Sequence, residues 1–346
     1  MLNAGGAERV MVDLSNILHG NGVNTSVLTI VKPGVLVDGL DKGVKRFNLG
    51  RKRRYSLVKM YQFYKIAKDF DIIHVHMRYN LKYVWLIKEI FGLKSKIVFH
   101  DHYGQINSNQ TISFFLKKAM FGAYYVGVSQ QLCAWAKAVG LNYERIFSLD
   151  NTIVKSNLEN QIDLEVTGIR FILVSNFRRQ KNIKFAVDII ESLSRHSDVK
   201  LDIYGQFSDG DYLEEIKSLI SLKNLTNNIR IIHDCTDIQM VLQNYNLALH
   251  TAKSETGPLV LLEYMSQGLA FISYKTGEVV EQIADEFPEF VMNDFNLDEW
   301  VTRIEKMIHS DLEITQENMM NFFEDNYSEK EYFNRCINIY QSVLNS

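Results

Sequence analysis

Two glutamates bracket a proline in Ser254-Glu255-Thr256-Gly257-Pro258-Leu259-Val260-Leu261-Leu262-Glu263, and that pattern carries a definite chemistry. Pro258 has the fixed φ that suits the first turn of a helix and Gly268 suits its end, so the spacing predicts a helix over Pro258 to Gln267. The loop ahead of that helix follows an apolar strand, Leu247 to His250. Free N–H groups around Gly257 to Leu259 then point out at the carboxyl end of a parallel sheet, where they and the helix dipole attract phosphate. Glycine at 257 lets that backbone come close. Glu263 stands about 7.5 Å along the axis beyond Pro258, and Glu255 lies in the loop. Such a pair can flank a diphosphate, one carboxylate accepting hydrogen bonds from ribose hydroxyls and the other from those of a sugar.

A diphosphate held by backbone donors still needs positive charge, because its leaving oxygen gains charge as the bond to it breaks. Arg178, Arg179 and Lys181 are the candidates. They follow the apolar strand Arg170 to Ser175 and precede a helix that begins near Asn182, which puts them at the same edge of the same sheet. Lys181 would act as a point charge, and Arg178 or Arg179 as a bidentate clamp.

The elements that must position these groups are short apolar strands alternating with amphipathic helices, the pattern of an α/β chain. Expected strands in the first half are Thr25 to Val31, Asp71 to Met77, Lys96 to His100, Tyr124 to Val128 and Arg145 to Leu149. In the second half they are Arg170 to Ser175, Lys200 to Tyr204, Ile229 to Ile232, Leu247 to His250 and Ala270 to Ser273. Runs this uniformly apolar are covered on both faces, so both sheets should be parallel. The polar stretch Asn151 to Gly168 reads as an interdomain linker, and Glu329 to Leu344 as a terminal amphipathic helix. With 346 residues the chain suits two domains, expected at 1–158 and 159–325, followed by a C-terminal helix over 326–346. Ala7 to Gly20 reads as a helix entered from a turn at Gly5 and Gly6. In a doubly wound domain such a turn follows the first, central strand. Here only Met1 to Asn3 precede it, so that strand is expected to be missing, with about 10 residues lying upstream.

At 46% apolar and 23% charged residues the composition is globular, and no stretch reaches the ~18 uninterrupted apolar residues of a membrane span. Met1 to Val10 shows no export signal, so the expected location is the cytoplasm. Cys133, Cys235 and Cys336 are too scattered for a disulfide framework or thiolate metal site, and all three read as buried. Residues 1–158 hold 22 Lys and Arg against 10 Asp and Glu, and residues 159–346 hold 16 against 31. The basic run Lys45, Arg46, Arg51, Lys52, Arg53, Arg54 and Lys59, with Tyr55, Leu57, Met60 and Tyr61, suits peripheral contact with anionic lipid on the inner face of the cell membrane. A plainly solvated run is the other reading, and nucleic acid is not expected as a partner.

Taken in order, Gly5-Gly6-Ala7-Glu8-Arg9, Ser175-Asn176-Phe177-Arg178-Arg179-Gln180-Lys181-Asn182, Gly205, Glu255-x7-Glu263 and Gly268 resemble the GT-B glycosyltransferases of the large retaining group often called family 4. The likeness runs over almost the whole chain. It implies two Rossmann-like domains facing a central cleft, with the terminal helix crossing back to the first. It also implies sugar transfer from a nucleoside diphosphate sugar, with UDP or GDP favoured, to a hydroxyl of a glycan or lipid-linked glycan acceptor, with retention and without a metal. Glu255 would contact the transferred sugar and Glu263 the ribose, with Lys181 and a nearby arginine on the diphosphate. Gly257, Pro258 and Leu259 would offer backbone to the donor, and Gly5-Gly6 would approach the donor phosphates or the acceptor. A histidine at the end of an N-domain strand is a further feature of the group. His100 matches it better and His102 is the rival, whereas His74 and His76 are expected within the core. Asn176 stands where the family frequently has arginine, so Arg178 is expected to supply that charge. A sugar-nucleotide epimerase of the same architecture and a non-catalytic partner protein are the alternative functions.

Overall fold

The computed structural model describes residues 2, 5–53, 55–104, 106, 109–156, 168–206, 209–233, 235, 237–310 and 313–346, the side chains of 313–315 excepted. The chain divides into two compact units, Met1–Val154 with Glu329–Ser346 and Lys155–Ser328. The expected boundary at 158/159, most of the linker, and Arg54 lie outside the described residues.

Unit 1 runs α1 (Gly6–Gly20), β1 (Ser26–Thr29), β2 (Lys45–Asn48), α2 (Leu57–Ala67), β3 (Ile72–His76), α3 (Arg78–Phe91), β4 (Lys96–Asp101), α4 (Phe114–Phe121), β5 (Tyr124–Gly127), α5 (Gln130–Ala138) and β6 (Ile146–Ser148). All pairings are parallel, but β1 and β2 form a sheet of their own beside the sheet β3-β4-β5-β6. β2 coincides with the start of the basic run. Its Lys45 and Arg46 are exposed on a strand that offers almost no apolar side chain, which is why hydrophobic periodicity passes over it.

Unit 2 runs β7 (Ile169–Val174), α6 (Ile183–Leu193), β8 (Val199–Tyr204), α7 (Gly210–Leu222), β9 (Ile229–Ile232), α8 (Gln239–Leu242), β10 (Leu247–His250), α9 (Leu259–Ser266), β11 (Phe271–Tyr274), α10 (Glu278–Glu286), β12 (Val291–Met292), α11 (Leu297–Ile308) and α12 (Glu313–Tyr327). Its six strands form one parallel sheet in the order β12-β11-β10-β7-β8-β9. Both units are therefore Rossmann-like. In unit 2 the order reverses beside β7, so the loops after β7 and β10 diverge at one edge, where ligands of such sheets bind.

The last helix, α13 (Glu329–Leu344), belongs to unit 1. Tyr332, Cys336, Ile339 and Val343 recur every three or four residues and pack with Leu14, Ile17 and Leu18 of α1 and Val98, Tyr124 and Val126 of the sheet. Each such side chain contributes roughly 1.5–3 kcal/mol by leaving water. Removing α13 would expose one face of that sheet. Cys133 and Cys336 are buried, but Cys235 is exposed, because it sits in the loop after β9 rather than in an element.

Candidate active site

Three loops at the carboxyl edge of the unit 2 sheet are stitched together by hydrogen bonds from main chain and threonine hydroxyls. The Lys253 amide donates to Gln180 O at 2.8 Å and Thr251 Oγ1 to Lys181 O at 3.2 Å, joining the loop after β10 to the turn after β7. Glu255 N donates to Thr276 Oγ1 at 3.1 Å and Glu278 N to Thr256 O at 3.1 Å, joining the same loop to the one after β11. Gly277 completes that contact. It has φ +86°, and a Cβ there would meet Pro258 Cδ at 3.0 Å. A second glycine serves the neighbouring loops: a Cβ on Gly205 would fall 1.9 Å from Ser175 O. Asn176 lies in the same contact, its side chain accepting from Gln206 N at 3.3 Å.

The helix of the glutamate segment is one residue shorter at each end than its sequence suggests. Pro258 caps it from extended backbone (φ −69°, ψ 106°), Leu259 opens it, and the chain turns away at Gly268 with φ +67°. Gly257 and Pro258 thus form the end of the loop, and Leu259 is the first helical residue.

Within this frame Lys181 Nζ donates to Glu255 Oε1, and the two side chains retain 22% and 19% of their exposure. Lys181 reaches the site from the end of a single 3₁₀ turn, Arg179 to Lys181, whose N-cap is Arg178. Burial, and then the charge of Arg178, pull the Lys181 ammonium down to about 8. The cations of the turn are divided. Arg178 bears on Lys181, whereas Arg179 turns to Glu215 on α7 at 2.7 Å. Arg178 and Arg179 also line an open depression with Gln180, Asp209, Gly210 and Asp211.

His250 is a site residue that periodicity does not single out. It ends β10, its Nδ1 shares a 2.8 Å hydrogen bond with Ser273 Oγ, and its Nε2 lies 3.9 Å from Glu255 Oε1. Burial and the charge of Lys181 hold it neutral by pulling its pKa down to about 3. The available signal was its place five residues before Glu255 at the mouth of a buried strand. Glu263 is 6% exposed on α9 and within electrostatic reach of Cys235 in the loop after β9.

In unit 1, Gly5 caps α1 from extended backbone and Gly6 is its first residue. His100 is fully buried in a stack of four imidazoles. Its ring centroid lies 5.3 Å from that of His74, 5.3 Å from that of His76 and 4.3 Å from that of His102. His74 and His76 are hydrogen-bonded, to Tyr340 at 2.6 Å and to His102 at 3.0 Å, but both are half-buried rather than in the core. His100 Nε2 faces Leu149 O at 3.3 Å, which fixes the proton there and leaves Nδ1 as a lone pair. Desolvation drives all four rings toward the neutral form, His100 to about 4. One ring nitrogen each from His74, His76 and His100 lies within 4.8 Å of the others, a set able to hold a metal ion that the sequence spacing did not reveal. Asp101 is structural: Arg78 binds it at 2.7 Å and Tyr125 donates to it at 3.0 Å.

Comparison with known proteins follows the same division into units. Residues 4–153 match the model of Glycosyltransferase Family 4, and residues 154–324 that of Glycosyl transferases group 1. An uncharacterized glycosyltransferase of Haemophilus influenzae is 20% identical over 89% of this chain and 88% of its own. A component of the phosphatidylinositol N-acetylglucosaminyltransferase of Arabidopsis thaliana is 22% identical over 79% of this chain and 62% of its own. Among solved structures, a glycosyltransferase from Rickettsia africae superposes with a TM-score of 0.81 at 18% identity, covering 99% of this chain and 96% of that one. HepE from Anabaena, in complex with UDP and glucose, superposes at 0.79 and 16% identity over 98% and 96%. With a glycosyltransferase model matched on each unit and the fold shared along nearly the whole chain, the protein belongs to the group 1 glycosyltransferases of GT-B architecture.

Proposed function

We propose that this glycosyltransferase moves a sugar from a nucleoside diphosphate sugar to a hydroxyl with retention at the anomeric carbon. The observation that carries the proposal is the Lys181–Glu255 pair, which joins the turn after β7 to the loop ahead of α9 at the carboxyl edge of the unit 2 sheet. Lys181 and Arg178 take the diphosphate, with the backbone N–H groups of Gly257 and Leu259 as additional donors. The diphosphate then competes for the Lys181 ammonium and frees Glu255 to accept from sugar hydroxyls, while Glu263 takes the ribose. His250, neutral and next to Glu255, steadies that carboxylate. As the C1–O bond to the diphosphate breaks, the departing phosphate oxygen accepts the proton of the incoming hydroxyl, whose oxygen bonds C1 on the same face. Transfer proceeds without a metal, since the cations of the turn after β7 supply the charge.

UDP is the favoured nucleotide, because structures of HepE contain UDP and UDP-glucose, and GDP is the second choice. For the acceptor we favour a lipid-linked or surface glycan precursor met at an anionic membrane face. Tyr55, Leu57, Val58 and Tyr61 of the α2 region and Phe114 and Phe115 of α4 are exposed beside Arg53, Lys59, Lys117 and Lys118. Met60, read from sequence as part of that surface, is instead 1% exposed in the core. Among the described residues no helix is long and apolar enough to cross a membrane. The test is a thermal-shift panel of UDP, GDP, ADP and their sugars, followed by product analysis with the nucleotide that binds. A glycoside with retained configuration supports the proposal. An epimerised free sugar, or no nucleotide binding at all, refutes it.

A further inference from the structure

Three histidines of unit 1 each have one ring nitrogen hydrogen-bonded and the other turned to the same small space. His100 donates Nε2–H to Leu149 O at 3.3 Å, and its Nδ1 is buried without a partner. His74 meets the Tyr340 hydroxyl through Nδ1 at 2.6 Å, and its Nε2 is likewise buried without a partner. His76 meets His102 Nε2 through Nδ1 at 3.0 Å, which leaves its own Nε2. Buried polar atoms without a partner are rare in folded proteins, and two in one cluster call for a ligand.

Strand alternation puts His74 and His76 on one face of β3, and the register sets His76 opposite His100 on β4. One nitrogen from each of the three lies within 4.8 Å of the others. A tetrahedral ion with metal–nitrogen bonds of ~2.0–2.1 Å holds its nitrogens ~3.3 Å apart, so side-chain rotations that close the set by up to ~1.5 Å complete the site. A water molecule has only two protons to offer three converging lone pairs, whereas a transition-metal ion accepts all three. Metal-binding histidines as a rule donate their other N–H to an acceptor, which fixes the tautomer and the ring orientation. Leu149 O does this for His100, and His102 Nε2 for His76. The Tyr340 hydroxyl does it for His74: it also pairs with Cys336, and in giving its proton to that sulfur it is left to accept from Nδ1. Three imidazoles with neither carboxylate nor thiolate suit zinc and its neighbours, not the oxygen-seeking Mg²⁺, Ca²⁺ or Mn²⁺. His74 and His76 are half-buried, so an ion can reach them.

We propose that His74 Nε2, His76 Nε2 and His100 Nδ1 bind one Zn²⁺-class divalent ion in unit 1, with a fourth position open to water. The ion crosslinks β3 to β4 and, through the His74–Tyr340 bond, ties both strands to α13. Its role is structural and independent of the transfer proposal, in which Lys181 and Arg178 of unit 2 supply the charge.

The experiment uses the untagged 346-residue chain, stripped with a chelator and then dialysed against Zn²⁺ or Co²⁺. One ion per chain is expected, and Co²⁺ should show the intense visible bands of a four-coordinate nitrogen site. Zn²⁺ at a hundred times its Kd should raise the Tm by about 5 °C, while transfer assayed well below the Tm stays the same with and without metal. Tyr340→Phe keeps the ring in place and removes only the acceptor at His74, so it should weaken Zn²⁺ binding about 10–100-fold in a folded chain. His76→Gln should abolish the cobalt bands. Absence of a bound ion, the weak bands of hydrated six-coordinate cobalt, or equal binding by wild type, Tyr340→Phe and His76→Gln overturns the proposal.

Discussion

Replacing Lys181 by glutamine removes one ammonium from the site, and two consequences can be separated. The first concerns folding. Glu255 loses its partner, and the cost lies between that of breaking a buried pair, about 3–5 kcal/mol, and that of an exposed one, about 0–1 kcal/mol. At 22% and 19% exposure the pair sits between those limits, which suggests about 1–3 kcal/mol. The second concerns transfer. Losing one preorganised donor to the departing diphosphate should lower kcat about 10²–10³-fold. The double variant Lys181→Gln/Glu255→Gln distinguishes them: it should recover part of the lost Tm without recovering kcat. Lys181→Arg keeps the charge and should lose less. The wild-type pH profile supplies an independent reading. The Lys181 ammonium is the charged form below its pKa of about 8, so kcat/KM should fall as pH rises through that value. In kcat the same limb should lie higher, because a bound diphosphate favours the charged lysine. If Lys181→Gln keeps more than about a tenth of kcat at saturating donor, or if kcat/KM is flat from pH 7 to 9, the assignment of Lys181 to the leaving group is wrong.

Asp13 is buried on α1 beside Arg9, and burial raises its pKa from 3.8 to about 7. The folded state therefore binds the extra proton, so Asp13's contribution is most favourable below pH 4 and declines to about pH 7, by at most ~4 kcal/mol. Asp13→Asn should accordingly raise the Tm at pH 8 and leave it unchanged at pH 4, and the same shift at both pH values would contradict the burial argument. Asp202 has the opposite sign. Despite its burial, bonds from Arg230, Tyr245 and Arg170 hold its pKa below the ordinary carboxylate value, so its stabilisation is present above about pH 4 and is lost on acidification. Asp202→Ala should cost about 3–5 kcal/mol in urea unfolding at pH 7, and a cost below 1 kcal/mol would show that the network is idle. Gly205→Ala should cost about 1–3 kcal/mol through the contact with Ser175 O, measured the same way. Dialysis against a chelator should leave transfer unchanged, and activity restored only by added divalent ion would count against the metal-free proposal.

The unit 2 site was legible because its signals are local. An apolar strand, a glycine, a proline and a second glycine define one loop and one helix, and the basic turn occupies the equivalent place one strand away. Each signal acts within about ten residues, so a linear reading captures it. The unit 1 histidines show what such a reading cannot reach. Alternation along each strand puts His74 with His76 and His100 with His102 on common faces. Whether the two pairs meet depends on register, and the pairing of His76 with His100 in β3 and β4 brings them together. Moving β4 by one residue would have turned His100 to the opposite face and Asp101 into the stack. The same dependence explains His250. Its polarity was visible at the end of a strand, but its neutrality follows from burial and, second, from Lys181, which arrives from the turn after β7 nearly 70 residues earlier and is fixed by the β7–β10 pairing. Local sequence thus determines which groups each loop can offer. Strand pairing determines which of them share an environment, and therefore which charge state each one holds.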